Sequence, residues 1–191
     1  MKKTLLSLII LFIAVLNSFA QDNSVTKIGV GVDLGVPIGQ TNTYYELASG
    51  VTLKAEFPVV DPLSITVTTG FTGYVTQGGY STGYNSYDGS YTYGAVACFV
   101  PLEAGARLYV SRRFYVEGDL GASFNVNSNS SEFTSKQTAL IYAPMAGMTI
   151  PFGGSRVSLD ISLRYENRLE SDYTYNNFGQ IAARAVFNFN L

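Results

Sequence analysis

The last eleven residues of this 191-residue chain alternate between apolar side chains and a second, mostly polar set. The apolar positions are Ile181, Ala183, Ala185, Phe187, Phe189 and Leu191. A period of two is the repeat of a β-strand whose two faces meet different surroundings. Seven earlier segments repeat the pattern, at about 28–36, 51–57, 64–71, 96–110, 114–125, 139–152 and 157–166. Because no crossover helix separates them, the sequence predicts an all-β fold of eight antiparallel strands in up-and-down order.

The connections between these segments alternate in length. Long polar connections are expected at 37–49, 74–94, 126–138 and 167–178, and short turns at 58–62, 111–113 and 153–156. All long connections therefore lie at one end of the strands and all short turns at the other. Transmembrane β-barrels combine this asymmetry with an even number of strands. The fold class predicted from the sequence is an eight-stranded antiparallel up-and-down transmembrane β-barrel.

The first twenty residues have the pattern of an export signal. Lys2 and Lys3 precede an apolar run, and Ser18-Phe19-Ala20 is a small-x-small cleavage site. The apolar run is shorter than the roughly 20 residues that a membrane-spanning helix needs. We therefore expect residues 1–20 to be a signal peptide and residues 21–191 to be one β-barrel domain.

Charged residues are scarce, at 14% of the chain, whereas a typical soluble protein has about a quarter. Without the predicted signal peptide, 10 basic residues stand against 14 acidic ones, a net charge of −4. A nucleic-acid partner would require a basic face, so the composition argues against one.

Aromatic residues on the apolar faces indicate which face meets lipid. The aromatic residues predicted at the short-turn end are Phe57, Phe114, Phe152, Phe187 and Phe189, and those at the long-loop end are Phe71, Phe124, Tyr142 and Tyr165. Two aromatic girdles around a band of Val, Leu, Ile and Ala are typical of an outer-membrane barrel. A soluble barrel with an apolar core is the alternative, but Gly, Ser, Thr and Asn on the polar faces would make a poor soluble exterior.

The polar faces then point into the barrel, where they carry charges. The predicted lumen charge network is Asp33, Lys54, Glu56, Glu103, Arg107, Glu117, Asp119, Asp160, Arg164, Glu166 and Arg184. If Val110 and Phe114 are opposite residues beside the 111–113 turn, Arg107 lies directly across from Glu117, with Asp119 as its diagonal neighbour. A salt-bridged core is the favoured interpretation. An acid/base pair or an ion path is the alternative.

The second long connection is rich in tyrosine. The candidate loop contacts are Tyr80, Tyr84, Tyr87, Tyr91 and Tyr93, and Tyr44, Tyr45, Tyr173 and Tyr175 are expected at the same rim. Tyrosine among Gly and Ser is the chemistry of adaptable binding surfaces. The alternative is a solvated, partly β-extended loop whose tyrosines pack together or meet lipopolysaccharide sugars.

The stretch RLYVSRRFYVEGDLGASF at 107–124, the terminal FNFNL and the eight amphipathic strands resemble the small outer-membrane β-barrel domain family. That family includes OmpX-like and opacity-type proteins, with many members in Bacteroidota. The resemblance implies the cell outer membrane as location and an assembly signal at Phe187, Phe189 and Leu191, although the usual terminal residue is Phe or Trp. It also implies outer-membrane lipid, lipopolysaccharide, the barrel assembly machinery and periplasmic chaperones as partners.

Nothing in the sequence indicates an enzyme. Outer-membrane barrel enzymes rely on a catalytic histidine, and this chain contains none. No His/Cys spacing predicts a metal site. Gly29, Gly31 and Gly35 depart from the dinucleotide-binding spacing and continue as a strand, so no cofactor is expected.

Three function classes remain. The first is a structural or surface-interaction barrel whose loops contact an extracellular ligand. The second is a narrow pore for ions or small solutes. The third is a soluble periplasmic ligand-binding barrel.

Overall fold

The computed structural model describes residues 25–43, 45–76, 83–85, 90–92, 96–126, 137–153, 156–170 and 177–191. The strands are β1 (Lys27–Ile38), β2 (Tyr45–Val60), β3 (Leu63–Thr76), β4 (Gly83–Asn85), β5 (Ser90–Thr92), β6 (Val96–Tyr109), β7 (Phe114–Asn125), β8 (Thr138–Pro151), β9 (Val157–Leu169) and β10 (Phe178–Asn190). A short 3-10 helix at Gly39–Thr43 joins β1 to β2. Within the described ranges, no helix is long and apolar enough to cross a membrane. The predicted signal peptide, residues 1–20, lies outside the described residues.

Eight of the strands form a closed barrel in the order β1-β10-β9-β8-β7-β6-β3-β2, with β2 pairing with β1 to complete the circle. Every neighbouring pair is antiparallel. The seam pairs β1 with β10 without interruption, from Lys27 opposite Asn190 to Ile38 opposite Gly179. The prediction of an eight-stranded antiparallel up-and-down barrel is confirmed.

The barrel is polar inside and apolar outside. Large apolar residues such as Val32, Leu53 and Leu163 are more than half exposed, whereas Arg107 and Arg164 are 1% exposed. A soluble domain shows the opposite distribution, because it excludes its apolar side chains from water. The apolar outer surface is that of a transmembrane β-barrel.

Several strands are longer than the alternation predicted. β2 begins at Tyr45 and β3 ends at Thr76, so the 37–49 and 74–94 connections are each shorter than expected. β9 runs to Leu169, into the predicted 167–178 connection. The ladder continues there because backbone pairing with the neighbouring strand does not depend on an apolar outer face. The polar composition alone had indicated loops.

The sixth predicted strand, β8, has the expected outward face, since Leu140, Pro144 and Ala146 are exposed. Its inward face is also apolar, because Ile141, Ala143 and Met145 are buried inside the barrel. This second apolar face explains why the alternation is weak in this segment. Residues 83–85 and 90–92, the hairpin β4–β5 within the second long connection, form a separate two-stranded sheet.

Candidate functional site

The lumen is filled by three groups of side chains, which we name here. The turn-side cluster consists of Lys27, Lys54, Glu56, Arg107, Glu117 and Asp160. The loop-side cluster consists of Glu103, Asp119, Arg164 and Glu166. The aromatic cluster consists of Tyr45, Tyr74, Phe99 and Phe178. All of these side chains lie on the inner side of the barrel wall.

Arg107 is the centre of the turn-side cluster. Its Nε donates to Glu117 Oε2 at 2.7 Å, and its Nη1 lies 3.0 Å from Glu56 Oε2 and 2.7 Å from Asp160 Oδ2. The guanidinium also stacks over the Tyr115 ring, with 3.7 Å from Cζ to the ring centroid. The predicted register is confirmed, since Arg107 and Glu117 are opposite residues of β6 and β7. Three carboxylates from three strands therefore converge on one buried cation.

Two lysines complete the turn-side cluster. Lys54 pairs with Glu117, and Lys27 lies 3.4 Å from Glu56. Tyr109 Oη donates to Glu56 at 2.8 Å and lies 2.9 Å from Lys27 Nζ. Lys27, Glu56 and Tyr109 line a recess of about 560 Å³ at the short-turn end. The recess therefore borders the turn-side cluster through Lys27 and Glu56.

Arg164 is the centre of the loop-side cluster. Its Nη2 lies 2.6 and 2.7 Å from the two oxygens of Glu103, and its Nη1 lies 3.0 Å from Asp119 Oδ2. Its Nε donates to Glu166 at 3.0 Å, and Glu166 also accepts from Gln180 Nε2 at 3.0 Å. Charge-assisted hydrogen bonds of this kind are about twice as strong as neutral ones. The cluster thus joins β6, β7, β9 and β10 across the lumen.

Thr66 connects the two ion clusters. Its hydroxyl lies 3.0 Å from Glu117 Oε1 and 3.4 Å from Asp119 Oδ1. Gly105 is the residue opposite both Thr66 and Asp119 on the neighbouring strands. A Cβ at this position would collide with the Asp119 carboxylate and stand 2.6 Å from Thr66 Oγ1. The glycine therefore provides the space for the Asp119 carboxylate and the Thr66 hydroxyl.

A separate ion pair lies at the seam between β1 and β10. Asp33 of β1 and Arg184 of β10 are opposite residues, and Arg184 Nε donates to Asp33 Oδ1 at 2.6 Å. Thr52 of β2 donates to the other carboxylate oxygen. The pair therefore joins the three strands that meet where the barrel closes.

Every residue of the predicted charge network lies in one of these pairs. Within the described residues the lumen holds six cations, Lys27, Lys54, Arg107, Arg164, Arg168 and Arg184, and eight carboxylates, Asp33, Glu56, Glu103, Glu117, Asp119, Asp160, Glu166 and Glu170. Each of them has an oppositely charged partner. Such pairing is what a buried charge requires. Among the described residues, no group of three or more His, Cys, Asp or Glu side chains is placed to hold a metal ion.

Three lumen charges were absent from the sequence prediction. Lys27 stands one residue before the predicted first strand, in the inward register of Asp33. Arg168 and Glu170 continue the inward register of Arg164 beyond the predicted end of their strand. Extending the alternation of these two strands by one to four residues would have found all three.

The aromatic cluster lies inside the barrel beyond the ion clusters, toward the long connections. Phe178 packs against Tyr45, Tyr74 and Phe99 with ring centroids 5.1 to 5.5 Å apart. Arg168 lies over the Phe99 ring at 4.6 Å. Edge-to-face aromatic contacts at these separations are favourable beyond the burial of area. Tyr45, expected at the outer rim, is instead 3% exposed inside the barrel. The inward residues of β2 are otherwise even-numbered, and a register shift between Tyr45 and Leu47 turns the Tyr45 side chain inward.

The aromatic residues predicted for the two girdles all lie on the outer surface. Phe114, Phe187, Phe189 and Phe152 at the short-turn end are 44–53% exposed, and Phe152 stacks on Phe187 with an interplanar angle of 11°. At the long-loop end, Phe71 and Phe124 are exposed, and Tyr142 and Tyr165 have ring centroids 6.0 Å apart. Phe57 is partly exposed. Leu191, the third residue of the predicted assembly signal, is 71% exposed.

The candidate loop tyrosines are only partly described. Tyr84 and Tyr91 are opposite residues of the hairpin β4–β5. Tyr80, Tyr87 and Tyr93 lie outside the described residues, as do Tyr44, Tyr173 and Tyr175. For the connection between β3 and β6, the structure therefore describes only the backbone of the β4–β5 hairpin.

Solved structures share this fold. Neisserial surface protein A aligns with a TM-score of 0.57 at 15% identity, covering 88% of this chain and 98% of that one. Ail from Yersinia pestis, an outer membrane protein, gives 0.49 at 18% identity over 87% and 100% of the two chains. The N-terminal β-barrel domain of Pseudomonas aeruginosa OprF gives 0.47 at 13% identity over 86% and 97%. The sequence matches no protein-family model and no curated protein. The similarity to Neisserial surface protein A establishes the eight-stranded barrel fold.

Proposed function

We propose that this protein is an integral outer-membrane β-barrel with a closed lumen, and that its long loops form a contact surface. The observation that carries the proposal is the filled lumen inside an apolar wall. Arg107 and Arg164 are each 1% exposed within their ion clusters, and the aromatic cluster lies above them. Eight strands leave an interior that side chains can fill. This arrangement favours a structural or surface-interaction role over a pore.

The export route and location belong to the same proposal. Residues 1–20 act as a cleaved signal peptide, and residues 21–191 insert into the outer membrane. Phe187, Phe189 and Leu191 provide the assembly signal that the barrel assembly machinery reads, after periplasmic chaperones have carried the unfolded chain. The outward register of these three residues supports this role, because they remain accessible on the lipid-facing side of β10. The protein is of the OmpX-like and opacity-type kind, and it has no enzymatic activity.

The proposed contact surface is the tyrosine-rich connection between β3 and β6. Tyr80, Tyr84, Tyr87, Tyr91 and Tyr93 contact lipopolysaccharide sugars or another extracellular ligand. The opposition of Tyr84 and Tyr91 on the β4–β5 hairpin supports this, because sites on paired strands are positioned more precisely than sites on loops. Neisserial surface protein A, which shares the fold, is by its name a surface protein.

Single-channel recording in planar bilayers tests the closed lumen. The purified barrel should give no stable conductance steps, and regular steps would favour the alternative of a narrow pore. Fractionation with outer membranes and heat-modifiable migration on gels test the location. Recovery of the folded protein in the soluble periplasmic fraction would instead favour a soluble ligand-binding barrel.

Replacement of the five loop tyrosines by serine tests the contact surface. The variant should keep heat-modifiable migration but lose binding to immobilised purified lipopolysaccharide or to whole cells. Replacement of Tyr142 and Tyr165 by serine is the matched control, because these tyrosines lie on the barrel wall. Unchanged binding after all five loop replacements would contradict the loop proposal without affecting the barrel.

A further inference from the structure

Two neighbouring short turns carry three exposed arginines. The turn between β6 and β7 contains Arg112 and Arg113, and the turn between β8 and β9 contains Arg156. The two turns are adjacent on the rim, because β7 and β8 are paired. Among the described residues, no ion pair includes any of the three guanidinium groups. We call these three residues the arginine rim.

The positive charge is confined to one side of this end of the barrel. The turn between β2 and β3 carries Asp61 in place of a basic residue. Lumen charges cannot compensate the arginine rim, because the described ones are buried and paired with one another. The exposed guanidinium groups are therefore available to an anionic partner.

Local hydrogen bonds hold the arginine turns in place. In the β6–β7 turn, the Ser111 hydroxyl accepts from the backbone N–H of Phe114 at 3.2 Å, and Val110 N–H donates to the Phe114 carbonyl at 2.9 Å. The carbonyls of Arg113 and Arg156 accept at 2.8 Å from β8 and β10 respectively. The backbone is thus ordered, whereas the guanidinium groups remain exposed for an external ligand.

The aromatic residues beside the arginine rim indicate its depth in a membrane. Phe114 follows Arg113 directly and is 53% exposed, and Phe152 precedes the Arg156 turn and is 44% exposed. Aromatic girdles of transmembrane barrels lie at the level of the lipid headgroups. The arginines stand one to four residues from these aromatic residues on the side of the turns, and therefore reach the phosphate layer. Guanidinium groups bind phosphate with two parallel hydrogen bonds.

We propose that Arg112, Arg113 and Arg156 bind the headgroups of anionic phospholipids in the leaflet that faces the short turns. This inference rests on the proposed function, since only an inserted barrel meets a headgroup layer. A basic residue near an anionic membrane strengthens association by about fivefold. Three of them on one side should enrich anionic lipid locally beside Phe114 and Phe152.

The chain contains no tryptophan, so one introduced tryptophan reports on its own surroundings. Phe152→Trp places the reporter beside the arginine rim, and Phe114→Trp is a second reporter in case the first variant does not fold. Phe71→Trp, at the opposite girdle, is the matched control. Each variant is reconstituted into phosphatidylcholine vesicles that contain either brominated phosphatidylglycerol or brominated phosphatidylcholine at equal low fraction, and fluorescence quenching is measured.

At the arginine rim, we expect stronger quenching by brominated phosphatidylglycerol than by brominated phosphatidylcholine. The preference should fall about fivefold for each arginine changed to glutamine. It should also weaken from 0.1 to 1 M salt, because the Debye length shortens from about 10 to 3 Å. The Phe71→Trp control should show no preference.

Two different failures can be distinguished. If both lipids quench the rim reporters equally, the barrel is inserted but the anionic-lipid proposal is wrong. If neither lipid quenches any reporter, the barrel is not in the membrane, and the proposed function itself fails.

Discussion

Arg107 and Glu117 lie directly opposite each other on β6 and β7, and a 2.7 Å hydrogen bond joins Arg107 Nε to Glu117 Oε2. Glu117 also pairs with Lys54, so one carboxylate holds two cations from two different strands. Arg107 has two further carboxylate partners, whereas Glu117 is the only one that the described structure gives Lys54. Without Glu117, Arg107 therefore keeps two carboxylate partners, whereas the described structure leaves Lys54 with none.

Glu117→Ala should lower the free energy of unfolding by about 3–5 kcal/mol, because it leaves a buried cation without its partner. The measurement is the denaturant midpoint in detergent, followed by heat-modifiable migration. Glu46→Ala is the control, because this carboxylate is exposed at the loop end of β2 and its loss should change little. Adding Lys54→Met to Glu117→Ala should recover part of the loss. Equal midpoints for Glu117→Ala and the unmodified protein would contradict the ion cluster.

Gly105→Ala should lower the free energy of unfolding by about 1–3 kcal/mol, because the added methyl collides with the Asp119 carboxylate. Gly118→Ala is a control on the adjacent strand, since a Cβ there has nothing within 4 Å. That variant should be neutral or slightly more stable, because alanine restricts the unfolded chain. The measurement is the unfolding midpoint of each variant under the same conditions. Similar midpoints for the two variants would show that Gly105 does not make room for Asp119.

The alternation of apolar and polar residues was sufficient to predict the strand number. The alternating connection lengths then predicted the barrel, and the positions of the aromatic residues predicted which face points outward. Period two is a local property, so strands such as β1 and β10 show it without reference to their neighbours. The opposition of Arg107 and Glu117 could also be predicted, because a short turn determines the register of the two strands beside it.

The aromatic cluster could not be predicted in the same way. Tyr45, Tyr74 and Phe178 lie where the polar connections were expected. Their inward direction depends on how far each strand continues and, for Tyr45, on the register shift beside it. Strand ends are set by pairing with a neighbour, which is a non-local property. The ion-pair partners across the lumen could not be predicted either. Arg107 binds Asp160, which lies on a strand that is not its hairpin neighbour.

Phe99→Ala should lower the free energy of unfolding by about 3–5 kcal/mol, because it leaves a cavity inside the aromatic cluster and removes the ring that Arg168 contacts. Phe71→Ala should cost less, since Phe71 is 42% exposed on the outer surface. The temperature at which each variant loses its compact migration on gels provides the comparison. A larger effect for Phe71 than for Phe99 would mean that the cluster does not stabilise the barrel.

The seam pair can be tested by exchanging its charges. Asp33→Arg alone and Arg184→Asp alone should each reduce stability, because like charges then face each other across β1 and β10. The double exchange should recover at least half of the combined loss, since it restores an ion pair of opposite orientation. Unfolding midpoints of the four proteins form a double-mutant cycle. Strictly additive effects would show that the two residues do not interact.

Ala185→Arg tests the lipid-facing surface at the middle of the seam strand. Ala185 faces outward between Val32 and Ile161, so an arginine there would enter the apolar band. The expected cost is up to about 2–4 kcal/mol at the bilayer midplane. Val60→Arg is the control, since Val60 is 62% exposed at the short-turn end, where the cost falls to about 0–1 kcal/mol. Folding into phospholipid vesicles, titrated with guanidinium, measures both, and equal costs at the two depths would mean that this surface does not contact lipid.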